Sequence, residues 1–271
     1  MKNFFLVVLA AALFFSSPLL AEITKGETDR QFLAKELVNP ISSMVSLPLQ
    51  VNLLSGLGNG SGTQNLYKFQ PVVPAKINQD WVLIVRPIFS YINQLNVVGT
   101  SSQTGFGDTQ LQLYFSPAKF ESIDNGLMWG AGPIFIFPTA SQASLGTEKW
   151  GIGPAAAAVR QNGPWTIGGL VDHIFSFTGS RSRSDFSLTF LQPFICYSGL
   201  RGTSFSLSSE MTYEWVTDRA TIPLVISVSQ IVPIGSQIFD FTLGGVYYLQ
   251  SPTPINGWGG RFSLTLVLPN M

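Results

Sequence analysis

From Ser204 to Trp215 the chain alternates between two kinds of side chain. Phe205, Leu207, Met211, Tyr213 and Trp215 hold one set of positions, with Ser209 the exception; Ser204, Ser206, Ser208, Glu210, Thr212 and Glu214 hold the other. Successive side chains of a strand point to opposite faces, so this segment has one apolar and one polar face. The same period runs through Leu264, Leu266 and Leu268 against Arg261, Ser263 and Thr265. It recurs in Ile222, Leu224, Ile226 and Val228 against Ser227 and Ser229. From Ser43 onward the pattern predicts about twelve strands, near 43–54, 65–74, 80–91, 106–116, 127–138, 151–161, 164–177, 185–197, 203–215, 220–232, 237–249 and 258–268. Eleven residues at ~3.3 Å make a strand of ~36 Å, which at ~45° of tilt crosses ~25 Å of hydrocarbon. Strands of soluble sheets more commonly hold about five or six residues. The expectation is therefore all-β: an antiparallel transmembrane outer-membrane β-barrel, apolar toward lipid and polar toward its lumen, since only a closed barrel leaves no strand edge unpaired in a bilayer.

The first 42 residues follow other rules. Lys2, an apolar run from Phe4 to Phe15, then Ser16, Ser17, Pro18 and Ala21 give the pattern of a signal peptide over 1–21, cleaved after Ala21. The run is too short for a membrane-crossing helix, which needs about 20 apolar residues. Over 22–42, Thr28 and Asp29 can cap a helix, and Phe32, Leu33, Leu37 and Val38 recur near helical spacing until Pro40. A short helix over 29–38 is expected as a cap on the domain, with a plug inside the barrel as the alternative. The barrel itself takes 43–271.

Charged residues are 11% of the chain, against about 25% in an average soluble domain. So little charge coats a water-facing surface poorly. Lysine and arginine balance aspartate and glutamate at 15 each, which gives no basic excess for nucleic acid. Cys196 is the only cysteine, excluding an internal disulfide and a multi-cysteine metal site. No cofactor or metal is expected.

With the N-terminus in the periplasm, connections 55–64, 93–105, 139–149, 178–184 and 250–257 fall outside the cell, and 75–79, 162–163, 198–202 and 233–236 inside. The outer set is longer on the whole; 117–126 and 216–219 run against the trend. Trp81, Trp129 and Trp165 then sit at the periplasmic side and Trp150, Trp215 and Trp258 at the outer side, two girdles at the depth where an apolar ring with a polar N–H is most stable. WGAGPIFIF at Trp129 and WGIGPAAAA at Trp150 repeat a strand start rather than a site. Pro48, Pro71, Pro87, Pro133, Pro154, Pro193 and Pro223 fall inside predicted strands, where each lacks a ladder donor, and predict bulges or bends.

Strand parity nominates Gln50, Asn52, Lys68, Gln70, Arg86, Asp108, Gln110, Gln112, Asp172, Glu210, Glu214, Asp240 and Arg261 as lumen residues on the path of a small solute. Amides with charges of both signs suit neutral or weakly polar solutes. The alternative is a closed lumen, structural or ligand-binding, in which the charges pair with one another. A lipid hydrolase would need a serine on the face of the single histidine, His173, and the nearest, Ser176, points the other way. No catalytic residue is nominated. A soluble periplasmic carrier would turn its apolar face inward, and the scarcity of charge opposes it. GLGNGSG at Gly56 lacks the Lys-Ser/Thr of a phosphate loop and reads as a flexible outer loop. Arg181 and Arg183 suit lipopolysaccharide phosphates, with solvated loop charge as the plainer reading.

The runs LAKELVNPISSMVSLPLQVN, FQPVVPAKINQDWVLIVRPIF, GFGDTQLQLYFSPAK and KWGIGPAAAAVRQNGPWTIGGLVDHIFSF resemble a Gram-negative outer-membrane family named for the MetA pathway of phenol degradation, or simply as transporters. The resemblance covers nearly all of 22–271. It implies a barrel that passes small aromatic or weakly polar compounds, with outer-membrane lipid, lipopolysaccharide and the barrel assembly machinery as partners. It carries no catalytic residues. The last strand departs from outer-membrane barrels in general, reading LTLVLPNM with no terminal aromatic residue.

Overall fold

The computed structural model describes residues 27–58, 60–118, 126–251 and 257–268. The signal-peptide reading, the final PNM and most of 117–126 and 250–257 lie outside the described residues. A helix, α1 (Glu27–Val38), precedes strands β1 (Val45–Leu57), β2 (Gly62–Phe69), β3 (Val73–Lys76), β4 (Trp81–Leu95), β5 (Ser102–Phe106), β6 (Thr109–Pro117) and β7 (Leu127–Phe137). A 3-10 turn, Ala143–Leu145, leads to β8 (Lys149–Asn162), β9 (Trp165–Gly179), β10 (Ser187–Ser198), β11 (Thr203–Ser209), β12 (Met211–Glu214), β13 (Arg219–Ile234), β14 (Gln237–Gln250) and β15 (Trp258–Leu268).

Every pairing is antiparallel, neighbours in sequence are neighbours in the wall, and β15 closes onto β1 from Val45↔Leu268 to Leu54↔Gly259. Three pairs of segments are single strands with a break. β2 and β3 both pair with β4 across a gap at 70–72, β5 and β6 join at 107–108, and β11 and β12 at Glu210. Twelve strands therefore make the wall of a closed barrel. The breaks fall on Gln70, Asp108 and Glu210, three residues nominated for the lumen.

The prolines act in different ways. Pro71 lies in the β2–β3 gap, and Pro223 sits at a register shift against β14. Pro133 and Pro154 face each other across β7 and β8. Beside them the β8–β9 ladder has no partner for Gly153 or Pro154, and a methyl group built on Gly153 would run into the His173 carbonyl oxygen. Pro48, Pro87 and Pro193 stay in register.

Parity sorts the side chains as the sequence pattern requires. Phe205, Leu207, Ile226, Val228 and Leu243 are exposed on the outside, while Ser204, Asp172, Asp240 and Ser263 are buried within. A soluble carrier with an apolar interior is excluded by that orientation, since water-borne proteins rarely show contiguous apolar patches above a few hundred Å². All six tryptophans are exposed on the exterior: Trp81, Trp129 and Trp165 near the end with tight turns, Trp150, Trp215 and Trp258 near the other. Several outer strands run further than expected. The connection expected at 93–105 narrows to 96–101, because β4 and β5 extend as a polar hairpin through the register pairs Asn93↔Thr104 and Gln94↔Gln103. Likewise β1 and β2 reach Leu57 and Gly62, so the glycine-rich outer loop is a tight turn.

The helix is not a lid on the outside. Leu33, Ala34, Lys35 and Glu36 are almost fully buried, and Leu33 and Ala34 pack on the inward Ile231, Ile238 and Val267 at the tight-turn end. Gln31 Nε2 donates to the Ser198 carbonyl at 2.6 Å, and Gln161 Nε2 donates to the Lys35 carbonyl at 3.2 Å. α1 is thus held inside the tight-turn end of the wall, the placement of the plug rather than of the cap on the domain. The wall residues that receive it are far away in sequence, so periodicity within 29–38 carries no sign of them.

Candidate functional site

Above the plug lies a cavity of about 560 Å³. Its wall includes eleven of the thirteen nominated residues: Gln50, Lys68, Gln70, Arg86, Asp108, Gln110, Gln112, Asp172, Glu210, Asp240 and Arg261. Asn52 and Glu214 are the two outside it. Asn52 is buried on the inner face of β1 and accepts from Arg261 Nε at 2.8 Å. Glu214, at the upper end of β12, accepts from the backbone N–H groups of Ser187 and Val216, both at 3.0 Å, and so braces the strand end.

Charges meet across the interior. Glu210 projects from the break between β11 and β12 and receives Arg261 Nη1 at 2.5 Å and Lys68 Nζ at 3.6 Å. Arg261 stands on β15 and Lys68 on β2, so the contacts span several strands of the circumference. Their side chains are 12–26% exposed, dry enough for the attraction to exceed that of surface pairs. A second arc, from Leu170 and Ile174 on β9 to Leu188, Phe190 and Phe194 on β10, lines the cavity with hydrocarbon. The cavity is amphipathic, with amides and charges facing an apolar wall.

Two nominated charges hold structure as well as line the cavity. Asp108 Oδ1 accepts from Ala140 N at 3.1 Å, and Oδ2 accepts from Thr147 N and Thr147 Oγ1, both at 2.7 Å. These bonds fold the 138–148 connection back against β5, where Ser141 Oγ accepts from Phe106 N at 2.9 Å. Gly105 makes room: a methyl group there would collide with Ser141 Oγ. Arg183 fixes the same connection from above through the Ala143 and Gly146 carbonyls and an ion pair to Glu148 at 3.0 Å. Arg183 thereby ties its own connection, between β9 and β10, to the one between β7 and β8. Asp240 is smaller in scope and accepts from Thr242 Oγ1 at 3.0 Å.

The exterior holds a polar chain that sequence reasoning missed. Trp215 Nε1 donates to Thr189 Oγ1 at 2.8 Å, and Thr189 Oγ1 lies 2.9 Å from His173 Nδ1. His173 Nε2 is 3.4 Å from Ser187 Oγ. The register pair His173↔Thr189 brings these groups together, so the serine on the histidine's face comes from the next strand. The partner of His173 Nδ1 is thus a hydroxyl and not the carboxylate that orients the histidine of a Ser-His-Asp triad.

Comparison with known proteins bears on the fold. No known protein family and no curated protein matches the chain, so the family resemblance rests on the segments quoted above. Among solved structures, the COG4313 outer membrane channel from Pseudomonas putida superposes with a TM-score of 0.64 at 14% identity, over 83% of this chain and 96% of that one. The two share one architecture, a closed twelve-stranded antiparallel barrel.

Proposed function

We propose that the chain is an outer-membrane channel for small aromatic or weakly polar solutes, exported by its signal peptide, inserted by the barrel assembly machinery and surrounded by lipid and lipopolysaccharide. One observation carries the reading: a polar, two-signed cavity of about 560 Å³ inside a wall whose outer face is apolar between two levels of tryptophan. A bilayer accepts such a wall because every strand is paired and no edge remains. The fold shared with an outer membrane channel supports it. In this function Lys68, Glu210 and Arg261 form the charged girdle that solutes pass, and the six tryptophans fix the depth of the barrel.

A second reading, a ligand-binding barrel with a closed lumen, has its own support in the plug at one end and the folded 138–148 connection toward the other. Liposome swelling separates the two. Passage of small solutes that rises when residues 22–42 are deleted is the outcome expected of a plugged channel; no passage by either protein leaves the closed barrel. Neither reading makes the chain an enzyme, and the Thr189 hydroxyl on His173 Nδ1, in place of a carboxylate, opposes lipid hydrolysis.

A further inference from the structure

Lys68, Glu210 and Arg261 satisfy one another, but Arg86 and Asp172 form no ion pair with each other. Arg86 on β4 and Gln112 on β6 are register partners, and Gln112 Nε2 reaches Asp172 Oδ2 on β9 at 3.2 Å. That contact uses one atom of each. Gln112 Oε1 and Asp172 Oδ1 are buried without a hydrogen-bond partner among the described residues, as are Arg86 Nε and Nη1 apart from the neighbouring Tyr114 hydroxyl, which lies behind the cavity lining. Gln112, Tyr114 and Asp172 are 3%, 0% and 3% exposed. No carboxylate among the described residues lies within ion-pair distance of Arg86, although Asp172 is within its electrostatic reach. Buried polar atoms of native proteins are nearly all paired, so the unpaired atoms of Arg86, Gln112 and Asp172, all three in the cavity lining, mark a place where a ligand supplies the partners.

The unpaired atoms are of two kinds. Arg86 offers N–H donors that carry a positive charge; Gln112 and Asp172 offer acceptors beside a negative one. A simple anion would meet Asp172, and a simple cation would meet Arg86. A molecule with both charges close together matches both, because opposite charges and bidentate forks are the strong polar contacts of a dry site. Next to them the wall is apolar: Phe190 is the register partner of Asp172, Leu188 that of Ile174, and Phe194 lies further along the same strand.

We propose that this cluster binds a small zwitterion with an apolar side chain, of the α-amino acid class. Its carboxylate is held by Arg86, its ammonium by Asp172 and Gln112, and its side chain lies on Leu188, Phe190 and Phe194. Arg86, Gln112 and Asp172 all line the cavity, so rotation of their side chains presents the unpaired atoms to a molecule inside it. The volume of about 560 Å³ lies in the range of small-molecule sites. The assignment rests on reading the cavity as part of a solute path, and names the solute.

The test is titration calorimetry on the full chain in detergent with four probes of similar size: L-phenylalanine, 3-phenylpropionate, phenethylamine and benzyl alcohol. Phenylalanine is expected to bind at least about tenfold more tightly than each of the others, the scale of one charge-assisted contact. Arg86→Gln should erase its advantage over phenethylamine, and Asp172→Asn its advantage over 3-phenylpropionate. Equal or tighter binding of 3-phenylpropionate or benzyl alcohol overturns the assignment, as does absence of binding by all four. If a variant does not fold, the ranking of probes on the native protein decides alone. Liposome uptake is read separately: binding of phenylalanine without passage of any solute keeps the site and removes the channel, whereas passage with no preference among the probes removes the site and keeps the channel.

Discussion

Glu210 is the residue on which the charged interior turns. Its carboxylate holds Arg261 and Lys68 from a strand break, and the other side of Arg261 is held by Asn52. Glu210→Ala leaves two cations facing the cavity. Removing one partner of a largely buried pair costs about 3–5 kcal/mol. We therefore expect a less stable barrel by about 3 kcal/mol in urea unfolding, and, in planar bilayers, a reversal potential displaced toward anions. Unchanged selectivity would mean that the girdle does not meet the passing solute. Strand parity by itself puts Glu210, Lys68 and Arg261 on the inner face. It carries nothing about their mutual contact, because the three lie on strands joined only by closure of the sheet. Asp108 and Arg183 take their loop-holding roles from strands that lie side by side in the wall. Nothing local to either residue indicates the 138–148 segment as its partner.

At the scale of the elements, α1 and the β8–β9 seam respond to different changes. Burial raises the pKa of the Glu36 carboxyl above its ordinary value, opposed by the Ser42 hydroxyl at 2.7 Å, the Ser43 backbone and neighbouring Lys35. For an acid with a raised native pKa the folded protein holds the extra proton, so stability falls as pH rises from the unfolded toward the folded value and is retained below both. Hydrogen exchange of the α1 amides, corrected for intrinsic rate, should show weaker protection at about pH 8 than at about pH 5. Glu36→Gln should remove that difference. A slope that survives in Glu36→Gln would assign the effect to another group. The seam is steric instead. Gly153→Ala drives a methyl into the His173 carbonyl and should cost about 1–3 kcal/mol or more, the range for overpacking. Gly163→Ala has open space at a backbone φ of 52°, so only the left-handed conformation resists it, at about 1 kcal/mol. Urea midpoints that rank the two the other way would show that the β8–β9 approach yields easily.

For the whole molecule, closure makes a cooperative object whose backbone bonds all lie within the wall. A detergent-extracted protein should run at a different mobility in SDS gels before and after boiling; identical mobility would count against a detergent-resistant membrane barrel. What the sequence determined is the set of local quantities: strand number, the two-residue period, the low charge, the outward and inward faces and the levels of the tryptophans. Each is written in side chains close together along the chain, and a period of two in strands of about eleven residues leaves a closed barrel as the membrane solution. The tertiary structure decided what distant strands do when the wall curves round. It put α1 inside the wall, joined Glu210 to β2 and β15, and left Arg86 and Asp172 in one cavity lining with no ion pair between them. Those contacts depend on which strands face across the interior, a property of the closed ring and not of any segment in it.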